Sequence, residues 1–204
     1  MISVYDLKPR FQNLLRPLTE SLFKAGVTAN HVTLFAMVAS VGYGAWIYAA
    51  SSGVVGGSAA SLLLLPVFLF FRMALNAIDG MLAREFKQKS DLGFYLNELG
   101  DVVADTALYL PFMFLLPNPM LVLMVVLLAI LIEFAGVLAL GVGNDRRYDG
   151  PFGKSDRAVA FGVLGYIMVF LNLPSMAYTG IFGVFIVLSI WTLHRRIKWG
   201  LNNG

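Results

Sequence analysis

Two short polar stretches interrupt an otherwise apolar chain and carry acidic and amide side chains at helical spacing. Residues separated by three or four positions share one face of a helix. The two polar faces are formed by Asn76, Asp79, Gly80 and Ala83, and by Asn97, Asp101 and Asp105. A basic loop with Arg84, Lys87 and Lys89 joins them. Carboxylates on two facing helices beside a basic loop suggest hard divalent metal ions and a phosphate-bearing substrate.

The spacing of these residues resembles the signature of the CDP-alcohol phosphotransferase family. That signature runs D-x-x-D-G-x-x-A-R, about eight residues, then G-x-x-x-D-x-x-x-D. The chain keeps this spacing without a gap from residue 76 to residue 101, including Arg84 and Gly93. Asn76 and Asn97 stand where the family has its first and third Asp.

The resemblance implies a role for each matched residue. Family members move a phosphate-linked group from a CDP-linked lipid or alcohol to an acceptor hydroxyl and release CMP. By this resemblance the metal positions, for Mg²⁺ or Mn²⁺, are Asn76, Asp79, Asn97 and Asp101. Asp101 also holds the position of the catalytic general base. The positions near the nucleotide and its phosphates are Gly80, Ala83, Arg84 and Ser90.

The two Asn residues leave the metal arrangement open. An Asn ligates through its carbonyl oxygen but contributes no charge. Asp105 or Glu98 could compensate, because Glu98, Asp101 and Asp105 lie at steps of three and four on one helical face. A second alternative shifts the register by one turn, so that Asp101 and Asp105 become the last two metal-site and catalytic carboxylates. A third alternative is one metal ion instead of two.

The composition places this site in a membrane protein. Apolar residues make up 58% of the 204 residues and charged residues only 13%, whereas soluble domains carry roughly 25% charged residues. The length predicts a single domain over residues 1–204, with spanning helices of about 20 residues each. Because the chain has no cysteine, disulfides, thiolate zinc sites and cysteine nucleophiles are excluded.

Six apolar runs predict an all-α integral membrane bundle of six transmembrane helices over residues 31–196. The runs cover approximately residues 31–50, 60–82, 93–116, 118–142, 158–173 and 176–194. Residues 1–24 mix periodic apolar residues with basic ones, which predicts an amphipathic interfacial helix. All Lys and Arg residues except Arg72 fall on one side if the spans alternate. The positive-inside rule therefore places both termini and the active site on the cytoplasmic side, most simply of a bacterial inner membrane.

The loop 143–157 and two charges within the spans are the remaining polar features. The segment from Gly150 to Arg157 resembles the acceptor side of family members with phosphorylated acceptors, so Lys154 and Arg157 are predicted to dock an anionic acceptor. The alternative is ordinary positive-inside charge. Arg72 and Glu133 each lie twelve residues from a cytoplasmic loop residue, at a shared depth of about 18 Å. Since an unpaired charge is costly there, they are predicted to form an ion pair.

These observations lead to three hypotheses about function. The first is transfer of a phosphatidyl group from CDP-diacylglycerol to a small polar alcohol, phosphorylated or not, in phospholipid synthesis. The second is a degenerate relative that binds nucleotide or lipid without turnover. The third is a small transporter with Arg72 and Glu133 as a relay. For the first, the partners are the two substrates and the lipid bilayer, with no nucleic acid, and the resemblance implies a homodimer.

Overall fold

The protein is built from helices, as the hydropathy pattern predicts. The computed structural model describes residues 4–171 and 173–201, and no β-strand occurs within them. The α-helices are α1 (Val4–Lys24), α2 (Ala29–Ser51), α3 (Ser58–Leu63), α4 (Leu65–Glu85), α5 (Asp91–Tyr109), α6 (Pro119–Gly141), α7 (Lys154–Phe170) and α8 (Ser175–Leu201). A 3-10 helix, Leu110–Phe114, continues α5. The all-α class is therefore confirmed.

Four elements are long and apolar enough to cross a membrane. They are α2, α3 together with α4 over Ser58–Glu85, α6 and α8. Helix α7 has 17 residues, and α5 carries the acidic residues of the predicted site. Six spans and an interfacial position for α1 therefore remain predictions. The first three residues of the predicted interfacial segment lie outside the described residues.

Two prolines divide apolar runs that the sequence presents as continuous. Pro66 lies in the first turn of α4, and the helix before it ends at Leu63. Pro111 lies in the first turn of the 3-10 helix that follows α5. A proline has no N–H to donate and clashes with the preceding turn, so it is tolerated at a helix start and not in an interior. The second apolar run thus becomes two helices, and only α4 carries Asp79.

The apolar core lies at the end of the bundle away from the polar stretches. Its largest fully buried members include Phe112, Phe161 and Phe182, and the ring of Tyr109 stacks on Phe161 with 4.1 Å between centroids. Helix α2 runs against α5 at Gly44, where an added Cβ would lie 2.0 Å from the Ala107 carbonyl oxygen. Because only a residue without a side chain allows this approach, Gly44 fixes α5 directly beside α2.

Candidate active site

The connection between α4 and α5 is held by hydrogen bonds at the start of α5 and at the start of α2. The Ser90 side chain accepts a hydrogen bond from the Gly93 N–H at 3.0 Å and caps α5. Gln88 accepts from the Ala29 N–H at 2.7 Å, which joins the connection to the first turn of α2. The structure therefore gives Ser90 a capping role; its predicted position near a nucleotide stays a prediction. Gly93 is needed here, since an added Cβ would lie 2.8 Å from Asn30 Oδ1.

Asp79 lies on α4 with only 7% of its surface exposed. Its Oδ2 accepts a hydrogen bond from the Thr33 hydroxyl of α2 at 2.9 Å. The next residue, Gly80, lets the Arg84 side chain fold back over the helix, because a Cβ at Gly80 would lie 2.9 Å from Arg84 Nη2. Ala83 packs beside the buried cluster formed by α2 and α4. The polar face of α4 is therefore narrow and open enough for close approach.

Asp101 on α5 is the meeting point of three helices. Its Oδ2 accepts from the Lys154 ammonium of α7 at 2.5 Å, and its Oδ1 is 3.3 Å from Arg72 Nη2 of α4. The Asn76 amide nitrogen is 3.5 Å from the same Oδ1. Asn97, half-buried, lies one turn before Asp101. The structure thus brings Asn76 and Asp101 into contact, as the signature spacing predicts.

Asp105 is enclosed between two arginines one turn deeper. Its Oδ1 accepts from Arg72 at 2.6 Å and its Oδ2 accepts from Arg157 at 2.9 Å. Both carboxylate oxygens are therefore engaged in buried, charge-assisted hydrogen bonds. This environment differs from the metal-binding or catalytic role considered for Asp105, which stays a prediction. Arg157 itself is fully buried, so it does not lie at a surface where an anionic acceptor could dock from solution.

Glu133 on α6 is surrounded by three guanidinium groups. It accepts from Arg157 at 2.8 Å, and from Arg146 and Arg196 at 3.0 Å each. Arg146, in the loop before α7, also contacts Glu98 of α5 at 2.5 Å. Burial alone would lower the pKa of Arg146, but the hydrogen bond to Glu98 and the charge of Glu133 raise it above its usual value. The charges thus form one connected network from Lys154 to Arg196.

The predicted ion pair between Arg72 and Glu133 is wrong. Arg72 binds Asp101 and Asp105, whereas Glu133 binds arginines from the loop before α7, from α7 and from α8. The rise per residue gives the depth of a side chain along a helix but not the direction in which it points. Glu98, which could compensate for the two Asn residues, contacts Arg146; its contribution to a metal site stays a prediction.

Sequence reasoning missed Thr33 and Arg196. Thr33 lies in an apolar span and gives no signal by itself, although it is the side-chain partner of Asp79. Arg196 was grouped with the basic residues of the C-terminal tail, yet it is 2% exposed. It donates to both the Ile132 carbonyl and the Glu133 carboxylate. A buried cation near the end of a spanning helix needs a buried anion, and Glu133 was the available one.

The residues at the metal positions offer oxygen donors of the kind that a hard divalent cation takes. Within residues 4–171 and 173–201, no three His, Asp or Glu side chains are grouped so that they could hold a metal ion. Of the two carboxylates at the signature positions, Asp101 is already balanced by Lys154 and Arg72. The remaining donors are oxygens of Asp79, Asn76 and Asn97, which are the ligand type that Mg²⁺ and Mn²⁺ prefer.

Comparison with known proteins identifies the class to which this fold and site belong. The model of the CDP-alcohol phosphatidyltransferase family matches residues 26–193. The chain belongs to that family. It is 44% identical over 198 residues to the inner membrane protein YnbA of Escherichia coli K12, covering 97% of this chain and 96% of that protein. The name of this relative supports a multi-pass bacterial membrane protein.

Solved structures of a phosphatidylinositol phosphate synthase from Mycobacterium tuberculosis have the same fold. The structure with CDP-DAG bound gives a TM-score of 0.73 at 19% identity, covering 91% of this chain and 92% of that one. The structure in complex with manganese and citrate gives 0.72 at 18% identity, with coverage of 91% and 88%. The likeness between these structures and this chain is one of fold.

Proposed function

We propose that this protein transfers a phosphatidyl group from CDP-diacylglycerol to a small polar alcohol and releases CMP. The observation that carries the proposal is the meeting of α4, α5 and α7 at Asp101, where Lys154 at the start of α7 joins the residues of the family signature. The neighbouring structure that holds CDP-DAG supports the lipid substrate. Acids buried in the spans are costly and are retained at functional positions.

Some residues of the proposed site would bind the charged groups of the substrates, and others would let the nucleotide come close to α4. Arg84 and Lys154 are the partly exposed cations beside the site and would face the phosphates and the acceptor. Gly80 and Ala83 would let the nucleotide approach α4 once the Arg84 side chain, which lies over Gly80, turns toward the phosphates. Asp101 is proposed as the general base for the acceptor hydroxyl, and Lys154 orients its carboxylate.

A single divalent cation, Mg²⁺ or Mn²⁺, is the proposed cofactor. Asp79 would hold it together with the amide oxygens of Asn76 and Asn97. A bound ion would supply positive charge against the pyrophosphate of the CDP-lipid and against the phosphate of the departing CMP. Thr33 orients the Asp79 carboxylate from α2. The neighbour of the same fold that was solved with manganese and citrate supports metal binding.

The decisive experiment is CMP release by purified protein with CDP-diacylglycerol, Mg²⁺ or Mn²⁺ and a panel of alcohols. We expect release only when lipid, metal and an acceptor are all present, together with a new lipid product. The control variant is Glu20→Gln, which should release CMP as the wild-type protein does, since Glu20 is an exposed acid on α1. Failure of the wild-type protein to release CMP with any acceptor would contradict transfer.

The orientation in the membrane is tested independently. Both termini and the site are proposed to face the cytoplasm, as a dimer in a bacterial inner membrane. Single cysteines at Ser52, Asn118 and Ser175 should react from outside with a membrane-impermeant thiol reagent, and one at Ser90 should not. The chain has no native cysteine, so the labelling background is low. Labelling of the Ser90 variant alone would reverse the orientation.

A second candidate is a family member that binds nucleotide or lipid without turnover. The observation in its favour is that the Asp101 carboxylate is already paired with two cations, while Asn76 and Asn97 contribute no charge. Binding of CDP-diacylglycerol without CMP release in the presence of metal and the full acceptor panel would establish it. The transfer hypothesis and this one therefore differ in a single measurement on the same sample.

A further inference from the structure

The side chains around Glu133 have the composition of an anion-binding site. Three guanidinium groups, from Arg146, Arg157 and Arg196, converge on one carboxylate at 2.8–3.0 Å. Planar guanidinium groups are the preferred partners of phosphate as well as of carboxylate. The cluster adjoins the reacting site, because Arg157 also binds Asp105, and Lys154 lies one turn earlier on α7.

The anion that these three arginines bind is the Glu133 carboxylate of the protein itself. Glu133 and Arg196 are 6% and 2% exposed, and Arg157 is fully buried. The cavity that reaches Asp105, Glu133 and Arg157 has room for about one water molecule. A phosphate group could enter only if the Glu133 carboxylate left, and Glu133 is fixed on the backbone of α6.

We infer that Glu133 permanently fills the arginine cluster, so that no acceptor phosphate binds there and the acceptor is an uncharged alcohol. This inference rests on the proposed transfer function and names its substrate class. It replaces the expectation that Arg157 docks an anionic acceptor. Lys154, whose side chain is 30% exposed, is left as the cation at the mouth of the site, and it is already bound to Asp101.

The first test uses matched acceptors with wild-type protein. CMP release from CDP-diacylglycerol is measured with glycerol and glycerol 3-phosphate, and with inositol and inositol phosphate. We expect each neutral alcohol to be used at least about tenfold better than its phosphorylated counterpart, because the arginines that would pair with the phosphate are occupied. A phosphorylated alcohol used as well as or better than its neutral counterpart would overturn the inference and leave the transferase function intact.

The second test measures phosphate binding without turnover. Thermal stability in detergent is recorded with inorganic phosphate and with chloride at the same ionic strength. The wild-type protein should respond equally to both salts. Glu133→Gln should be less stable in chloride and should be stabilised selectively by phosphate, since Arg196 loses its carboxylate partner and Arg146 and Arg157 each lose one of two. Glu85→Gln is the control, because Glu85 belongs to a more exposed ion pair with Arg16.

The two tests separate the failure of this inference from the failure of the proposed function. If no acceptor supports CMP release, the transfer proposal fails, and the phosphate measurement alone decides whether the cluster is closed. Selective stabilisation of the wild-type protein by phosphate would show an open cluster and contradict the inference. If Glu133→Gln does not fold, the comparison of phosphate with chloride on the wild-type protein still decides, because an equal response to both salts is expected only if Glu133 fills the cluster.

Discussion

Asp79 and Glu133 are two buried carboxylates in the spans with opposite surroundings. They are almost equally buried, at 7% and 6% exposed. Glu133 accepts hydrogen bonds from three arginines, whereas Asp79 binds the hydroxyl of Thr33. In the described part of the chain no Lys or Arg nitrogen lies within 4.0 Å of the Asp79 carboxylate.

The difference indicates that the Glu133 carboxylate stabilises the fold, whereas the Asp79 carboxylate serves the candidate active site. Burial of a charge is costly unless a partner compensates it. Glu133 has its partners within the chain and therefore contributes to holding α6, α7 and α8 together. Asp79 is available for a cation that arrives with the substrate. Removal of Asp79 should therefore affect activity, and removal of Glu133 should first affect stability.

The largest effect is expected from Asp79→Asn. We expect CMP release to fall by at least about a thousandfold, because the variant loses the charge that holds the cation. Its melting temperature should stay near that of the wild-type protein. Activity is measured by CMP release and folding by thermal unfolding in detergent. Full activity in this variant would remove Asp79 from the metal site and erase the contrast with Glu133.

Glu133→Gln should show the reverse pattern. The free energy of unfolding should fall by about 3–5 kcal/mol, because the buried Arg196 loses its carboxylate partner and Arg146 and Arg157 each lose one of two. Glu85→Gln removes one partner of the more exposed pair with Arg16 and should cost less than about 1 kcal/mol. Chemical unfolding in detergent measures both. Equal losses in the two variants would mean that the arginine cluster contributes no more than an exposed pair.

A double-mutant cycle tests whether Arg72 pairs with Asp105, as in the structure, or with Glu133, as the sequence predicts. Arg72→Leu and Asp105→Leu should each destabilise, and the double variant should recover about 1–3 kcal/mol relative to the sum. The comparison cycle with Glu133→Leu should show a smaller coupling, because Arg72 and Glu133 are joined only through Asp105 and Arg157. A larger coupling for the Glu133 cycle would contradict the observed pairing.

The smallest effect is expected at Lys154. Lys154→Met removes the ammonium from Asp101, so Mn²⁺ affinity should increase by roughly tenfold as local positive charge is lost. Mn²⁺ binding is measured by electron paramagnetic resonance on protein without substrate. Lys89→Met is the control, because Lys89 is exposed in the loop after α4. Unchanged affinity in both variants would mean that Lys154 does not share the site with the metal.

The sequence predicts the helices and the backbone of the site better than its charge pairing. Signature spacing placed Asp79 and Asp101 on the polar faces of adjacent helices, because the helical period is regular. It could not show that Thr33 of α2 contacts Asp79, since that contact depends on how α2 packs against α4. The pairing of Arg72 was predicted from depth alone, and depth does not determine the angle around a helix. Pro66 explains why one apolar run forms two helices.

The ion pairs of Glu133 can form only in a fixed order while the chain is being synthesised. Its partners Arg146, Arg157 and Arg196 follow it in the chain by 13, 24 and 63 residues. At about 5–20 residues per second, Glu133 waits several seconds for its last partner. Until α8 is made, Glu133 has Arg146 and Arg157 as partners, and the donor to both Glu133 and the Ile132 carbonyl has not been added. A chain that stops before Arg196 therefore lacks the buried contacts that fasten α8 to α6.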